Sequence, residues 1–406
     1  MHILFLTDNF PPEGNAPASR TYDHAIRWVN AGCKVTVITC APNFPHGRVY
    51  KGYKNKLLSR ELIDGIRVWR VGTFMSSNQG FILRTLDFLS FMVAAAFWGL
   101  FVPKPDVVVG TSPQFFTAIA AYWLALVKRA KFVFELRDLW PATVTAVGVM
   151  RRNVAIVLLE KIEIFLYRRA DLIISVTQSF VEELVGRGID RNKLVVVRNG
   201  ADLSTYFPKD TELARSQFAN ELAGKFVFGY VGTHGRCHAL EHLLDAAASI
   251  TDVDVTILMA GGGEDKERLD RTIEEQGLVN IVSLPMQPKE LMPDIWAMCD
   301  VAIVHLKDDP VFSTVIPSKI FEALAMGKPL IYSGPVGEAS QLIADTGCGF
   351  ICPPESGADL ARGMVGFKSI VSDCPTMEGQ CVDAAKKFDR DTLAMSMLNA
   401  MEEVLP

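Results

Sequence analysis

The chain reads as an α/β protein of two domains, each a parallel sheet covered by helices, and three observations predict this. Its 406 residues are too many for one ordinary core and fit two domains of roughly 200 residues. Apolar runs of strand length alternate with stretches of helix length, the pattern of parallel sheets buried on both faces. The series stops at a polar segment, Asp202 to Glu221, and restarts with another strand and another glycine-bearing turn.

The first series opens with a strand from Ile3 to Leu6, a Pro/Gly loop from Pro11 to Pro17 and a helix from Ser19 to Ala31 with Trp28 and Val29 on its apolar side. A strand from Val35 to Ile38 completes this βαβ unit. Further strands are expected at Val68 to Val71, Val107 to Val109, Phe132 to Phe134, Leu172 to Ser175 and Leu194 to Val197. The second series has strands at Phe226 to Val231, Val255 to Ala260, Val282 to Leu284, Val301 to Val304 and Pro329 to Tyr332, with a helix from Leu240 to Ile250. Two such arrays imply two facing Rossmann-like domains with ligands in a deep cleft between them.

A hydrophobic fraction of 49% with 21% charged residues excludes a disordered or collagen-like chain. The net charge of −5 argues against a nucleic-acid binder, but it hides an asymmetry. Residues 1–205 hold 25 basic against 16 acidic side chains, and residues 206–406 hold 16 against 30, so the halves carry +9 and −14. The first half is therefore expected to face something anionic, such as a membrane surface or a phosphorylated lipid. Its greasiest stretch is Phe81 to Val102, whose uncharged part, the 15 residues from Phe88 to Val102, falls short of the ~20 that span a bilayer. It is either a helix lying in the membrane interface, with Arg84, Lys104, Arg151, Arg152, Arg168 and Arg169 available to head groups, or a core helix. The eight cysteines form no CxxC and no zinc-type cluster, so reduced thiols are expected. The opening MHILFLTDNF lacks the basic region and cleavage site of a signal peptide, which points to the cytoplasm.

Three segments carry candidate chemistry. PPEGNAPASR, from Pro11 to Arg20, places Gly14 and small residues at a helix start, where N–H groups and Arg20 can approach an oxygen-rich ligand. VGTHGRCHAL, from Val231 to Leu240, ends a strand and supplies Gly232, Thr233, Gly235, Arg236 and His238. It suits a diphosphate, or it is a glycine turn with solvated charges. The most informative segment is STVIPSKIFEALAMGKPLIYS. After Pro317, a helix opens at Ser318, with Lys319 in its first turn, Glu322 one turn later and a stop at Gly327. A carboxylate there can accept two ribose hydroxyls while Lys319 faces phosphates.

LTDNFPPEGNAPASR, LIISVTQSFVEELVGRGIDRNKLVVVRNGADLSTYFP, VFGYVGTHGRCHALEHLLDAA and PSKIFEALAMGKPLI together resemble the retaining GT-B glycosyltransferases of family 4 over nearly the whole chain. PNFPHGRVYKGY and FELRDLWPATV are similar to the bacterial surface-polysaccharide branch, O-antigen and capsule, that includes N-acetyl-L-fucosamine transferases. The resemblance implies an acceptor-binding domain over 1–205 with membrane-associated region 81–102, a nucleotide-sugar domain over 206–380, and a C-terminal segment 381–406 crossing back to the first domain. It implies a hexosyltransferase that retains configuration and needs no metal, a UDP-type donor, and a polyprenyl-diphosphate-linked saccharide as acceptor, at the inner face of the plasma membrane. No DxD motif follows a strand.

Carried onto this sequence, the pattern assigns catalysis to Glu322, Lys319 and Asp138, donor binding to Gly14, Gly232, Thr233, Arg236, His238, Pro317, Ser318, Lys319 and Glu322, and the acceptor side to Arg20, His46, Arg137 and Asp138. Asp138 either orients the acceptor or serves locally as a helix cap or a partner for Arg137. Two departures stand out: Thr314 occupies the place of the family's first Glu, and Thr233 and His238 occupy the places of its phosphate-site Arg and Lys. Asp308, Asp309, Ser313 and Thr314 are then the candidates for the donor sugar. The same scaffold serves UDP-sugar 2-epimerases and non-catalytic binding subunits, the alternatives to a transferase.

Overall fold

The computed structural model describes residues 1–44, 47–76, 81–141 and 153–405. Two compact units divide the chain: Met1–Arg198 with Arg390–Pro406, and Asn199–Asp389. The division falls earlier than residue 205, and the returning segment begins at Arg390, so that Cys381 lies in the second unit.

Unit 1 holds β1 (His2–Leu6), β2 (Lys34–Cys40), β3 (Leu58–Ile63), β4 (Ile66–Val71), β5 (Val107–Thr111), β6 (Lys131–Leu136), β7 (Leu172–Ser175) and β8 (Leu194–Val196). They form one sheet in the order β3-β4-β2-β1-β5-β6-β7-β8, parallel except that β3 pairs antiparallel with β4. The sequence reading had no β3. Its edge position relieves it of the continuous apolar run used as the strand signal. The hairpin turns at Asp64 and Gly65, both at positive φ (49° and 84°), as a two-residue Asp-Gly turn requires.

Among helices of seven or more residues, unit 1 has α1 (Ala16–Asn30), α2 (Phe81–Gly99), α3 (Phe115–Lys128), α4 (Val154–Arg169) and α5 (Gln178–Gly186). α1 starts before the expected Ser19: Asn15 caps it by accepting the Ala18 N–H at 2.9 Å, and Pro17 sits in the first turn, where its missing N–H has no partner to lose. The unit 1 core joins Ile3, Phe5, Trp28, Val35 and Val109 to Met397, Leu398 and Met401. Those methionines and Leu398 come from the last helix (Arg390–Glu403), whose Ala394 carbonyl accepts the Trp28 indole N–H at 2.9 Å.

Unit 2 holds β9 (Phe226–Val231), β10 (Val255–Ala260), β11 (Ile281–Leu284), β12 (Val301–His305), β13 (Leu330–Ser333) and β14 (Gly349–Cys352), all parallel, in the order β11-β10-β9-β12-β13-β14. Its helices are α6 (Glu241–Ser249), α7 (Lys266–Gln276), α8 (Lys319–Ala325), α9 (Glu338–Thr346), α10 (Gly357–Ser372) and α11 (Met377–Ala385), and the last helix of unit 1 is then α12. Strand order reverses between β9 and β12. Their C-terminal ends flank the crevice in which open α/β sheets take ligands.

Candidate functional site

At that reversal a buried aromatic ring meets three nitrogen-bearing side chains. Tyr230, near the end of β9, is fully buried, and the Lys319 ammonium stands 3.6 Å above its ring centroid. Lys319 is the first residue of α8 and is itself buried, with no hydrogen-bond acceptor for Nζ. Gly232 is what allows this approach: its φ is +135°, and a Cβ there would stand 3.1 Å from Nζ. His234 stacks against the same ring with centroids 5.6 Å apart, and His238 meets it edge-on at 5.9 Å.

The histidines are neutral for structural reasons. His238 Nδ1 donates to the His305 carbonyl at 3.1 Å, and His305 Nδ1 donates to the His238 carbonyl at 2.7 Å. Because each acceptor is a carbonyl, Nδ1 must carry the proton in both rings. Burial, reinforced by the Lys319 charge, pulls His238 down to about 3, and burial pulls His305 to about 4. His234 falls to about 4, again by burial first and then by Lys266 and Lys319. Lys319 itself is lowered by burial to about 7. The buried ring nitrogens of His234, His305 Nε2 and Lys319 Nζ have no partner. Such a group accepts an anion readily: an arriving phosphate supplies the acceptor that Lys319 lacks.

Glu322 lies one turn along α8, half-buried, with Oε2 accepting the Trp296 indole N–H at 3.3 Å. Pro317 and Ser318 are half-buried at the helix entrance. Lys319, Glu322, Gly232 and His238 thus lie at one sheet edge, while Thr233 is exposed and contributes its carbonyl to the Tyr230 hydroxyl at 2.6 Å. Arg236 differs from expectation. It sits in a short 3-10 turn with its side chain 76% exposed, 3.5 Å from Glu264. α6 starts later, at Glu241, so no α-helix begins at Arg236.

The donor-sugar candidates serve local turns. Asp309 caps the turn Pro310–Thr314, Ser313 donates to the Pro310 carbonyl, Thr314 donates to the Val311 carbonyl, and exposed Asp308 offers its N–H to Glu355. A separate cavity of about 620 Å³ opens on unit 2 beside Phe207, Leu213, Leu291 and Met298, away from Lys319 and Glu322. Among the described residues no His, Cys, Asp and Glu side chains gather as a metal-binding group.

Gly14 lies in unit 1, in the loop before α1, and a Cβ there would meet nothing within 4 Å, so close backbone packing does not require glycine. Arg20 is buried and structural: Nε donates to Glu135 at 2.9 Å, and its terminal nitrogens reach the Arg198 and Val197 carbonyls. Arg137 and Asp138 follow β6, their N–H groups held by the Ser112 hydroxyl at 2.9 and 3.2 Å. His46, Arg151 and Arg152 lie outside the described residues.

Sequence reasoning passed over Tyr230, His234 and His305, and in unit 1 a carboxyl pair. Burial, then the Glu13 charge, raises Asp8 to about 8. Glu13 is buried and raised as well, its Oε1 accepting the Asn43 and Phe44 N–H groups at 2.7 and 2.9 Å.

Two α/β units, each built on a mostly parallel sheet, are the architecture of GT-B glycosyltransferases. Residues 15–200 match the glycosyl transferase 4-like domain, and residues 214–386 match glycosyl transferases group 1. Together these span both units, and the chain belongs to the glycosyltransferases. It is 24% identical to the putative colanic acid biosynthesis glycosyl transferase WcaI of Escherichia coli K12, over 90% of this chain and 91% of that protein. It is 29% identical to the probable glycosyltransferase WbjE of Pseudomonas aeruginosa, over 64% of this chain and 65% of that one. Among solved structures, sucrose-phosphate synthase of Thermosynechococcus elongatus superposes with a TM-score of 0.80 at 17% identity, covering 99% of this chain and 98% of the other. Anabaena HepE in complex with UDP-glucose superposes with a TM-score of 0.72 at 18% identity, covering 99% and 100%.

Proposed function

We propose that this glycosyltransferase acts in bacterial surface-polysaccharide synthesis, O-antigen or capsule, moving an N-acetylated amino sugar from a UDP-sugar to a polyprenyl-diphosphate-linked saccharide with retention and without a metal. N-acetyl-L-fucosamine is the specific donor sugar to test. The observation that carries the reading is the Lys319, Tyr230 and Glu322 arrangement at the β9/β12 reversal. Lys319 would take the diphosphate and Glu322 the ribose hydroxyls. The pathway is supported by the relative WcaI, named for colanic acid biosynthesis, and the nucleotide by the similarly folded HepE, crystallised with UDP.

In the proposed reaction the acceptor hydroxyl oxygen bonds to the sugar C1 on the face from which UDP departs. The C1–O bond to the β-phosphate breaks, and the departing phosphate oxygen takes the hydroxyl proton. No protein base is needed. Charge that builds on the diphosphate is met by protonated Lys319, in surroundings already stripped of water.

Membrane attachment belongs to the same proposal. No helix among the described residues is long and apolar enough to cross a membrane. α2, α3 and α4 pack side by side in unit 1 and, with the turn after α2, leave Val93, Phe97, Phe101, Leu126, Val127 and Leu158 exposed. With Arg84, Arg168 and Arg169 on the same helices, that face suits an anionic lipid surface.

Titration calorimetry with UDP tests the donor assignment. Glu322→Ala should weaken binding by about 1–3 kcal/mol, the worth of a charged hydrogen bond; wild-type affinity in that variant removes the ribose role. Nucleotide release from a panel of UDP- and GDP-sugars, with lipid extract as acceptor, identifies the donor. A sugar isomer formed without acceptor would instead favour an epimerase.

A further inference from the structure

We propose that Trp296 is a positioning residue for ribose recognition: its indole N–H presets the Glu322 carboxylate, and so makes the donor site tell a nucleotide with two ribose hydroxyls from one without them. The inference rests on the ribose role proposed above for Glu322 and adds a residue that acts through it.

Trp296 is fully buried near the end of the short helix Met292–Ala297, and its indole N–H donates to Glu322 Oε2 at 3.3 Å. An indole nitrogen only donates, so the direction of this bond depends on no tautomer or protonation state. The ring's own segment is anchored to β9. Gly229 lies on that strand where a Cβ would collide with Cys299 Sγ, and the Cys299 N–H donates to the Trp296 carbonyl at 3.1 Å. One residue further on, Asp300 Oδ2 accepts the Val227 N–H and Arg215 Nη2, both at 2.6 Å. Glu322 arrives from the other element, α8, whose Ile320 and Phe321 are fully buried. Donor and carboxylate are therefore each carried by backbone that packing holds in place.

The consequence follows from the geometry of a carboxylate. Glu322 is half-buried, and a glutamate that must take two hydroxyls at once gives up rotamer freedom when it does so. A carboxylate already turned into place loses less on binding. Its two oxygens offer about four lone-pair sites, so accepting one indole N–H leaves capacity for a 2′- and a 3′-hydroxyl. Packing at position 296 would be met by any large aromatic ring; the N–H is the part of Trp296 that packing does not use. Without it the carboxylate turns, and the match to the hydroxyl pair is lost. A nucleotide that lacks both hydroxyls never used that match and is unaffected. A role in packing alone predicts the opposite, an equal loss for both nucleotides.

The test uses the full chain and calorimetry with UDP and with 2′,3′-dideoxy-UDP, on the wild type, Trp296→Phe, Glu322→Ala and the double variant. Trp296→Phe should weaken UDP about 10-fold, the worth of one hydrogen bond to a charged group, and leave dideoxy-UDP unchanged. In the Glu322→Ala background the Trp296 substitution should add nothing, because the two side chains act as one unit. If Trp296→Phe fails to fold by thermal melt, the wild type carries the test by NMR. Of the indole N–H resonances of its six Trp residues, one should move in Glu322→Ala, and that one should also move with UDP and stay still with dideoxy-UDP. Provided Glu322→Ala weakens UDP, any of four results overturns the role of Trp296: wild-type UDP affinity in Trp296→Phe, equal loss of both nucleotides, additive losses in the double variant, or an indole resonance indifferent to UDP. Wild-type UDP affinity in Glu322→Ala instead removes the ribose reading itself, and the positioning role with it.

Discussion

Lys319 is a cation kept near neutrality by its surroundings, and this sets how the donor site responds to pH. Burial brings it to about 7, while the Tyr230 face gives it a weak electrostatic partner. A bound diphosphate favours the charged form. UDP affinity should therefore fall as pH rises above 7, and binding at pH 8 should take up a proton. Calorimetry in buffers of different ionisation enthalpy reads that uptake directly, and Lys319→Met should abolish it. Asp8 is the mirror case. Its carboxyl goes from an ordinary 3.8 to about 8, so the folded state holds the proton more tightly and stability is lost as pH rises between those values. Asp8→Asn should stabilise the protein at pH 9 by on the order of 2 kcal/mol, allowing for partial exposure, and change little at pH 4. Thermal melts at both pH values check it. Lys319 and Glu322 were legible because a single short segment carries both. Tyr230, His234 and His305 were not, since they come from two strand ends that only the sheet brings together. Arg236 misled by proximity in sequence: nothing in its immediate neighbours says that its side chain leaves the group for Glu264.

At the scale of elements, periodicity found the buried parallel strands and missed those that break its assumption. β3 is an edge strand with exposed positions, and β14 is short with two exposed residues. The Asp64-Gly65 turn was the available signal for the first. Phe81 to Val102 resolves into α2 (Phe81–Gly99) and the short turn after it, with two roles. Phe91, Ala95 and Val102 are buried, whereas Val93, Phe97 and Phe101 are exposed, so neither a core helix nor a surface helix describes it fully. Replacing Phe97 and Phe101 together by Asp should reduce co-sedimentation with anionic vesicles and leave the melting temperature unchanged. Undiminished partition would remove α2 from the membrane reading. Packing of α3 on β5 is tighter. A Cβ on Gly110 would stand 2.7 Å from Ala121 Cβ and 2.8 Å from Ala118 Cα. The obstruction includes backbone, so Gly110→Ala should destabilise by about 1–3 kcal/mol, measured as a lower denaturant midpoint at unchanged slope.

Over the whole molecule, the charge asymmetry survives the observed boundaries. Unit 1 holds 26 basic against 18 acidic residues, and unit 2 holds 15 against 28, giving +8 and −13. The net −5 is a cancellation between units rather than a property of either. Two domains were legible from length and the restart of the βα pattern; the point of division was not, because the polar segment taken as a linker is mostly the opening of unit 2. α12 ties the chain's ends into one core. Removing residues 390–406 should expose Trp28 and its neighbours, and the shortened chain should lose the unit 1 melting transition or aggregate. The same feature fixes an order of events during synthesis. Unit 2 is complete in sequence before α12 has been made, whereas unit 1, although translated first, waits with an open seam over Trp28 until residues 390–403 clear the ribosome. The N-terminal half of this chain is therefore the last to finish folding, and the half that nascent-chain chaperones will hold longest.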